Sequence, residues 1–257
     1  MKKQSKDSLG DRMKRYEAVS KTTLVQRMPV ILRLDGCHFH TFTKGFEKPF
    51  DDIMIKSMQD TMKYLCENIQ GCVFGYTQSD EITLVLVDYK NLNSSQWFDN
   101  EVQKMCSVAA SMAGMFFTRC FAYNALMAEV DGEQYKKYEN AIVRGAYFDC
   151  RAFNVPKEDV VNCLLWRIRD CVRNSVLSLA QAKFSHKEIQ NKNISQLKNM
   201  LLENKNINWD SLTSIQKYGS ICIKNDNWKI IEPYTDIDNY NAIEEFLIKN
   251  NILYFNV

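Results

Sequence analysis

The strongest constraint on this chain is the order in which its apolar periodicity changes between residues 29 and 155. A strand is expected over 29–34, where Val30, Ile31 and Leu32 supply apolar, mostly β-branched bulk before the turn signal Asp35-Gly36. After a loop holding Gly45 and Pro49, Met54, Met58, Met62, Leu65 and Ile69 recur at helical spacing, with Asp51 or Asp52 placed to cap them. Two β-rich runs follow, 72–76 and 82–87, joined across the polar break 77–81 as a hairpin. A second long helix is expected over 97–124, with Val102, Met105, Ala109, Met112, Phe116 and Cys120 as its stripe. A last strand is expected over 147–155, with Phe148, Cys150 and Ala152 on one face and Asp149 and Arg151 on the other. Strand, helix, strand, strand, helix, strand is the order of a ferredoxin-like α+β sheet with its helices on one face.

That topology places the third strand between the first and second, antiparallel to both. The end of strand one then meets the start of strand three, which brings Asp35 to Asp80 and Glu81. A lone Asp at a strand end is most often a turn residue. Two that converge repel each other unless a proton or a cation intervenes. Magnesium fits such a pair, because it takes oxygen ligands and joins one or two carboxylates to substrate phosphates. Just after Asp35 come His38, His40, Lys44 and Lys48, donors of the kind a triphosphate needs.

Beyond Pro156 a third helix is expected, with Val161, Leu164, Ile168, Ser175 and Leu179 inward. Its Arg169 and Arg173 share a face, with Arg167, Lys183, His186 and Lys187 nearby, a pattern that suits an RNA backbone or a solvated surface. The Asn- and Lys-rich stretch 185–208 reads as a mobile helical lobe, and the chain from Tyr218 as a hairpin followed by a short helix. The expected division is a palm-like core over 1–156 and an extension over 157–257 that contacts RNA and mediates oligomerisation.

Composition narrows the class of partner only weakly. The 33 basic and 31 acidic residues leave a formal charge of +2, so any nucleic-acid surface must come from local clustering. Nine cysteines without a C-x-x-C pair fit reduced thiols better than a disulfide framework or a zinc site. The opening MKKQSKDSLGDRMKRYE has no apolar h-region, and no uninterrupted apolar run reaches membrane-spanning length. A cytoplasmic protein without a membrane partner is expected, with organellar import left open.

RLDGCHFHTFTKGFEKPFD and YTQSDEITLVL together resemble the two acidic motifs of the tRNA-His guanylyltransferase family. FDCRAFNVP, LWRIRDCVRN and KYGSICIK follow in the family's order. The resemblance implies a palm-like nucleotidyltransferase that works in the 3′-to-5′ direction. ATP or GTP activates a tRNA 5′ phosphate, and the 3′ hydroxyl of an incoming nucleotide then attacks it. It further implies two magnesium ions on Asp35, the Gly36 carbonyl and Asp80, with Glu81 beside them, and Asp35, Asp80 and Glu81 as the catalytic carboxylates. Triphosphate contacts would come from His40, Lys44, Lys48, Asp51 and Lys104, with Arg33 and Ser79 as softer assignments. RNA contacts would come from Arg151, Arg169, Arg173, Asn174, His186 and Lys187, within a homotetramer.

One departure is informative. Where tRNA-His enzymes carry an HINxxY-type motif, this chain has Val172 in place of the histidine and keeps Asn174. With Phe184-Ser185-His186-Lys187, this resembles the Thg-like branch, which is similar to template-dependent polymerases that repair 5′-truncated tRNAs. The alternatives are a tRNA-His guanylyltransferase adding a single G, a purine-nucleotide cyclase, and a non-enzymatic ferredoxin-like RNA-binding protein.

Overall fold

A computed structural model of the chain describes residues 8–233 and 239–253. The charged residues 1–7, positions 234–238 between the expected final hairpin and helix, and 254–257 lie outside the described residues. In chain order the elements are α1 (Leu9–Ala18), β1 (Val30–Cys37), α2 (Phe39–Phe42), α3 (Asp52–Asn68), β2 (Cys72–Gln78), β3 (Glu81–Leu86), α4 (Val102–Met127), α5 (Gly132–Arg144), β4 (Tyr147–Asn154), α6 (Asp159–Lys183), α7 (His186–Ile189), α8 (Ile194–Lys205), α9 (Ser214–Tyr218), β5 (Ser220–Lys224), β6 (Trp228–Ile231) and α10 (Tyr240–Lys249). The six strands form one antiparallel sheet in the order β4-β1-β3-β2-β5-β6. The first four strands have the expected ferredoxin-like arrangement. The extension adds β5 and β6 beyond β2, so the sheet runs unbroken across residue 156.

Strand alternation sorts the core into two layers. On one face Leu32, Leu34, Ile82 and Leu84 pack with Met58, Met62 and Leu65 of α3 and with Met105, Ala109 and Phe117 of α4. On the other, Ile31, Val73, Val85, Ile221 and Ile223 pack with Val161, Leu164 and Ile168 of α6 and Ile243 and Leu247 of α10. The palm helices therefore occupy one face, and the extension closes much of the other.

Four sequence expectations shift. The hairpin turn shrinks from 77–81 to Ser79-Asp80, because Thr77, Gln78 and Glu81 are buried strand residues despite their polarity. The second long helix begins at Val102 rather than 97, since Phe98, Asp99 and Asn100 all have positive φ and interrupt any earlier start. Its buried stripe is Met105, Ala109, Ala113, Phe117, Phe121 and Ala125, while Met112 and Phe116 are half-buried. α4 is apolar nearly all round, so hydrophobicity alone does not choose the phase. By length and composition α4 could also cross a bilayer. In the fold it lies instead along the sheet and α3, with the rings of Tyr64 and Phe116 stacked 4.1 Å apart. Finally, α1 and α5 were not expected, although Asp131 caps α5 through the Gln134 amide and Gly145 follows its end.

The polar lobe is docked rather than loose. Leu197 and Leu201 of α8, Ile189 and Trp209 form an apolar cluster with Val176, Leu179 and Ala180 of α6. The Trp209 indole donates to the Ser175 hydroxyl at 3.0 Å.

Gly219 joins α9 to β5 with φ +81°, and a Cβ there would lie 2.5 Å from the Thr77 carbonyl oxygen. Gly219→Ala is expected to destabilise the fold by about 1–3 kcal/mol. Gly132→Ala, at a helix start with nothing within 4 Å of the added carbon, should change stability by less than about 1 kcal/mol. Urea unfolding of the two variants measures the contrast.

Candidate functional site

The β1–β3 ladder sets Asp35 opposite Glu81, and the Gly36 amide donates to the Asp80 carbonyl at 3.0 Å. On the other flank Asp35 pairs with Asp149 of β4, a third carboxylate that the sequence placed on the right face but did not assign. Burial raises the Asp80 carboxyl above the ordinary range, and the negative Asp35 adds to the rise, while a 3.0 Å bond from the Ser79 hydroxyl opposes it. Arg151 lies 4.0 Å from Asp35 and 3.6 Å from Asp149, which places it at the carboxylate edge itself. Asp35, with only the exposed Arg151 at 4.0 Å, and Asp80 thus form a pair of carboxyl oxygen donors suited to a hard divalent cation. Among the described residues no three His, Cys, Asp or Glu side chains already converge as a ligand set. A cation here would complete its shell with backbone carbonyl, water and phosphate oxygens. Gly36 is needed for steric reasons, because a Cβ would strike the Phe39 ring at 2.3 Å.

Phe39 also explains how the loop after β1 is held. Phe39, Phe42 and Phe46 plug into an aromatic cluster with Phe117, Phe121, Tyr138 and Phe148, with ring centroids 4.8 to 5.8 Å apart. The polar residues between these plugs stay outside. His40 and Lys48 are exposed and, with Ser79 and Asp80, line a cavity of about 370 Å³. Lys44 is exposed but does not line it. Asp51 lines it too, yet its carboxylate is already engaged. It accepts from the amides of Met54 and Glu47 and from the Tyr138 hydroxyl at 2.9, 3.1 and 2.8 Å. Asp51 therefore caps α3 and anchors the loop, which corrects its assignment as a direct triphosphate contact.

The far wall of the cavity comes from the extension: Asn174, Ser175 and Ser178 of α6, then Gln216 and Gly219. Gln59 bridges the two halves by donating to the Ser220 hydroxyl at 2.8 Å. Sequence reasoning assigned none of these except Asn174, and that one to RNA. The signal available was the KYGSICIK segment, which carries Gly219 and Ser220.

Glu81 does not belong to the open carboxylate pair. Its side chain is buried and accepts from the Arg167 guanidinium at 2.7 Å, and Arg167 in turn donates to Asp170 at 2.6 Å. Burial raises the Glu81 carboxyl, against the lowering effect of Arg167 and Arg33. Asp170 also accepts from Arg173, and from Asn174 at 3.1 Å. This network ties the hairpin to α6, so Glu81 positions the turn that carries Asp80. Its expected place among the catalytic carboxylates is thus replaced by a positioning role, because Arg167 already engages its side chain.

Two other groups lie elsewhere. Lys104 is in the first turn of α4, whose start bonds back to Thr22, whereas Thr118 of the same helix reaches Ala146 beside the carboxylate end. The step of fourteen residues from Thr118 puts Lys104 roughly 20 Å along the helix axis from that end. It sits over the Phe98 ring and cannot reach the cavity within one chain. The basic set also divides. Arg169 and Arg173 are exposed on α6, while His186 and Lys187 lie past its C-terminus, about 15 Å further along.

A family model described as tRNAHis guanylyltransferase matches residues 10–156. An uncharacterized protein of Acanthamoeba polyphaga mimivirus is 33% identical over 243 residues, 87% of this chain and 80% of its own length. A bacterial tRNA(His) guanylyltransferase-like protein solved with ATP is similar over 96% of this chain and all of its own, with 37% identity and a TM-score of 0.83. A second such bacterial structure, with GTP, gives 34% identity and 0.75 over the same shares.

Two substitutions test the electrostatics. The folded-state pKa of Asp80 is raised, so its contribution to stability is lost as pH rises from the ordinary carboxylate range through that value. Asp80→Asn should therefore melt higher than the parent at pH 7 without divalent metal, with the gap closing near pH 4. Arg167→Met strands a buried Glu81 and should cost about 3–5 kcal/mol at neutral pH by urea unfolding.

Proposed function

The chain belongs to the tRNAHis guanylyltransferase family, and from that premise we propose that it repairs tRNA 5′ ends by template-dependent 3′-to-5′ nucleotide addition. It is a nucleotidyltransferase acting at tRNA 5′ ends with ATP and GTP as nucleotide substrates, as its family and its nucleotide-bound structural relatives indicate. The observation that carries the reading is that Asp80, which meets the Asp35 end of β1, also lines a nucleotide-sized cavity with His40, Lys48 and Ser79.

In this reading the 5′ phosphate of the RNA first displaces pyrophosphate from ATP to form an adenylylated end. The 3′ hydroxyl of the incoming nucleoside triphosphate then attacks the activated phosphorus and AMP leaves. Asp35, Asp80 and the Gly36 carbonyl would hold two magnesium ions, which supply charge neutralisation at the reacting phosphates when bound. His40 and Lys48 donate to triphosphate oxygens at the cavity wall, and Lys44 steers the anion from outside. Ser79 holds the Asp80 carboxylate in place through its hydroxyl. Positioning and electrostatics suffice, so no base of unusual pKa is required.

Templated repair is favoured over single G addition by position 172. Where the tRNA-His motif would present an imidazole, Val172 packs against the apolar cluster of the lobe. Its neighbour Asn174 turns into the cavity wall, held by Asp170. The similarity to a guanylyltransferase-like protein at 37% identity along nearly the whole chain points the same way. A homotetramer is part of the proposal. Met115, Tyr123, Leu126 and Met127 leave the outer side of α4 apolar and exposed, a face that self-association would cover.

The test is a 5′-extension assay on a tRNA transcript lacking its first nucleotide and bearing a 5′ monophosphate, with ATP, all four nucleoside triphosphates and magnesium. Addition of the nucleotide complementary to the opposing 3′-strand base is expected, with at least a 100-fold loss in Asp80→Ala. Addition of one G regardless of the opposing base, confined to tRNA-His, would overturn templated repair.

A further inference from the structure

Trp166 lies on α6 beside β1 and keeps 52% of its surface exposed, although α6 is the helix that closes this face of the sheet. Two cations brace it. The guanidinium of Arg33 is 5.2 Å from the ring centroid and that of Arg167 is 4.2 Å away. Arg167 is itself locked by Glu81 and Asp170. The Nε of Arg33 is buried without a hydrogen-bond partner among the described residues. The indole is therefore held by rigid neighbours, yet much of it remains open.

Its surroundings are those of a nucleic-acid end rather than of a protein partner. Arg33 pairs across the ladder with Arg151, and two residues along each strand come Asp35 and Asp149. A two-residue step in a strand is roughly 7 Å, so the platform sits within one nucleotide's reach of the reacting carboxylates. Tyr147, a further two residues along β4, is 67% exposed on the same face. Cationic groups for a phosphate beside an aromatic face for a base make up the usual single-strand binding pair.

We propose that Trp166, braced by Arg33 and Arg167, is the stacking platform for the terminal base at the RNA 5′ end, with Arg33 and Arg151 taking the adjacent phosphate. The inference rests on the 5′-end reading above and adds a reason for its tolerance of sequence. Stacking grips any base through its π-face and leaves identity to be read by pairing with the opposite strand.

The probe is an acceptor-stem RNA hairpin with a recessed, 5′-monophosphorylated end, compared with the same hairpin carrying an abasic 5′-terminal residue. Wild-type protein should bind the intact hairpin roughly 10-fold more tightly than the abasic one by fluorescence anisotropy. Trp166→Ala should lose that discrimination, Trp166→Phe should keep most of it, and both should melt like the parent. Intrinsic fluorescence should be quenched by the intact hairpin in the parent and much less in Trp166→Phe, because Trp97 and Trp209 are buried and the half-buried Trp228 lies on β6, at the far edge of the sheet from β4. If Trp166→Ala binds the intact hairpin like wild type, or discriminates against the abasic end as before, the stacking role is overturned while extension by wild type leaves the functional reading standing. If wild type neither binds nor extends the hairpin, that reading falls and this inference falls with it.

Discussion

The register between β1 and β3 is the constraint on which the rest depends. Six successive pairs run from Val30↔Leu86 to Asp35↔Glu81, so the end of β1 has no freedom relative to the Ser79-Asp80 turn. A slip of one residue would turn Ile31 and Arg33 toward α3 and α4, and Leu32 and Leu34 toward α6. That slip is blocked because Leu32 and Leu34 fill one core while Ile31 fills the other. Hydrophobic sorting thus does the work of placing two carboxylates together, which electrostatics alone would resist.

The resistance is visible in how the neighbourhood is furnished. Asp80 has its proton affinity raised by burial and by Asp35, and among the described residues no ion pair relieves it directly. Glu81, one residue on, is given to Arg167 instead, in a pair whose side chains are 9% and 6% exposed. A buried pair of this kind contributes little net stability, but it fixes orientation. Here it links the catalytic hairpin to α6, and through Asp170 to Asn174 at the cavity wall. The strained carboxylates and their rigid support are two halves of one arrangement: a charge cluster can stay unsatisfied only where its scaffold cannot relax.

Much of this was legible in the sequence because it follows from period and topology. The strand order and the meeting of Asp35 with Asp80 come from alternation and the Ser79-Asp80 break, although β1 runs on through Asp35-Gly36 to Cys37, where a turn was expected, because β4 pairs with that end. What was hidden had physical reasons. Thr77, Gln78 and Glu81 look like loop residues but are strand residues with buried partners, such as the Thr77 hydroxyl on the Glu81 carbonyl at 2.8 Å. Asp51 matches a binding segment by type, yet its capping bonds consume it. Lys104 and the α4 stripe could not be phased from an all-apolar helix. The cavity wall from Asn174 to Ser220 joins residues distant in sequence, and no local pattern announces that they meet.

The two faces of the sheet divide the labour unequally. The α3–α4 face is sealed from β4 to β2. On the other face the core draws on β1, β2, β3 and β5, but from β4 among the described residues it takes Phe153 alone. Tyr147, Asp149 and Arg151 alternate outward from that edge strand and are exposed among the described residues. A soluble sheet normally covers a face that borders its core, and leaving one strand bare beside a half-exposed tryptophan forgoes burial that α6 could have provided with a small shift. The opening lies over the same strand pair that carries Asp35 and Asp149. On the proposed reading, the uncovered edge is where an extended anionic polymer would approach the carboxylates, while the cavity that Asp80 lines would take the smaller nucleotide. Two substrates would then reach one edge by separate routes, and the antiparallel register keeps that edge fixed on the same pair of aspartates.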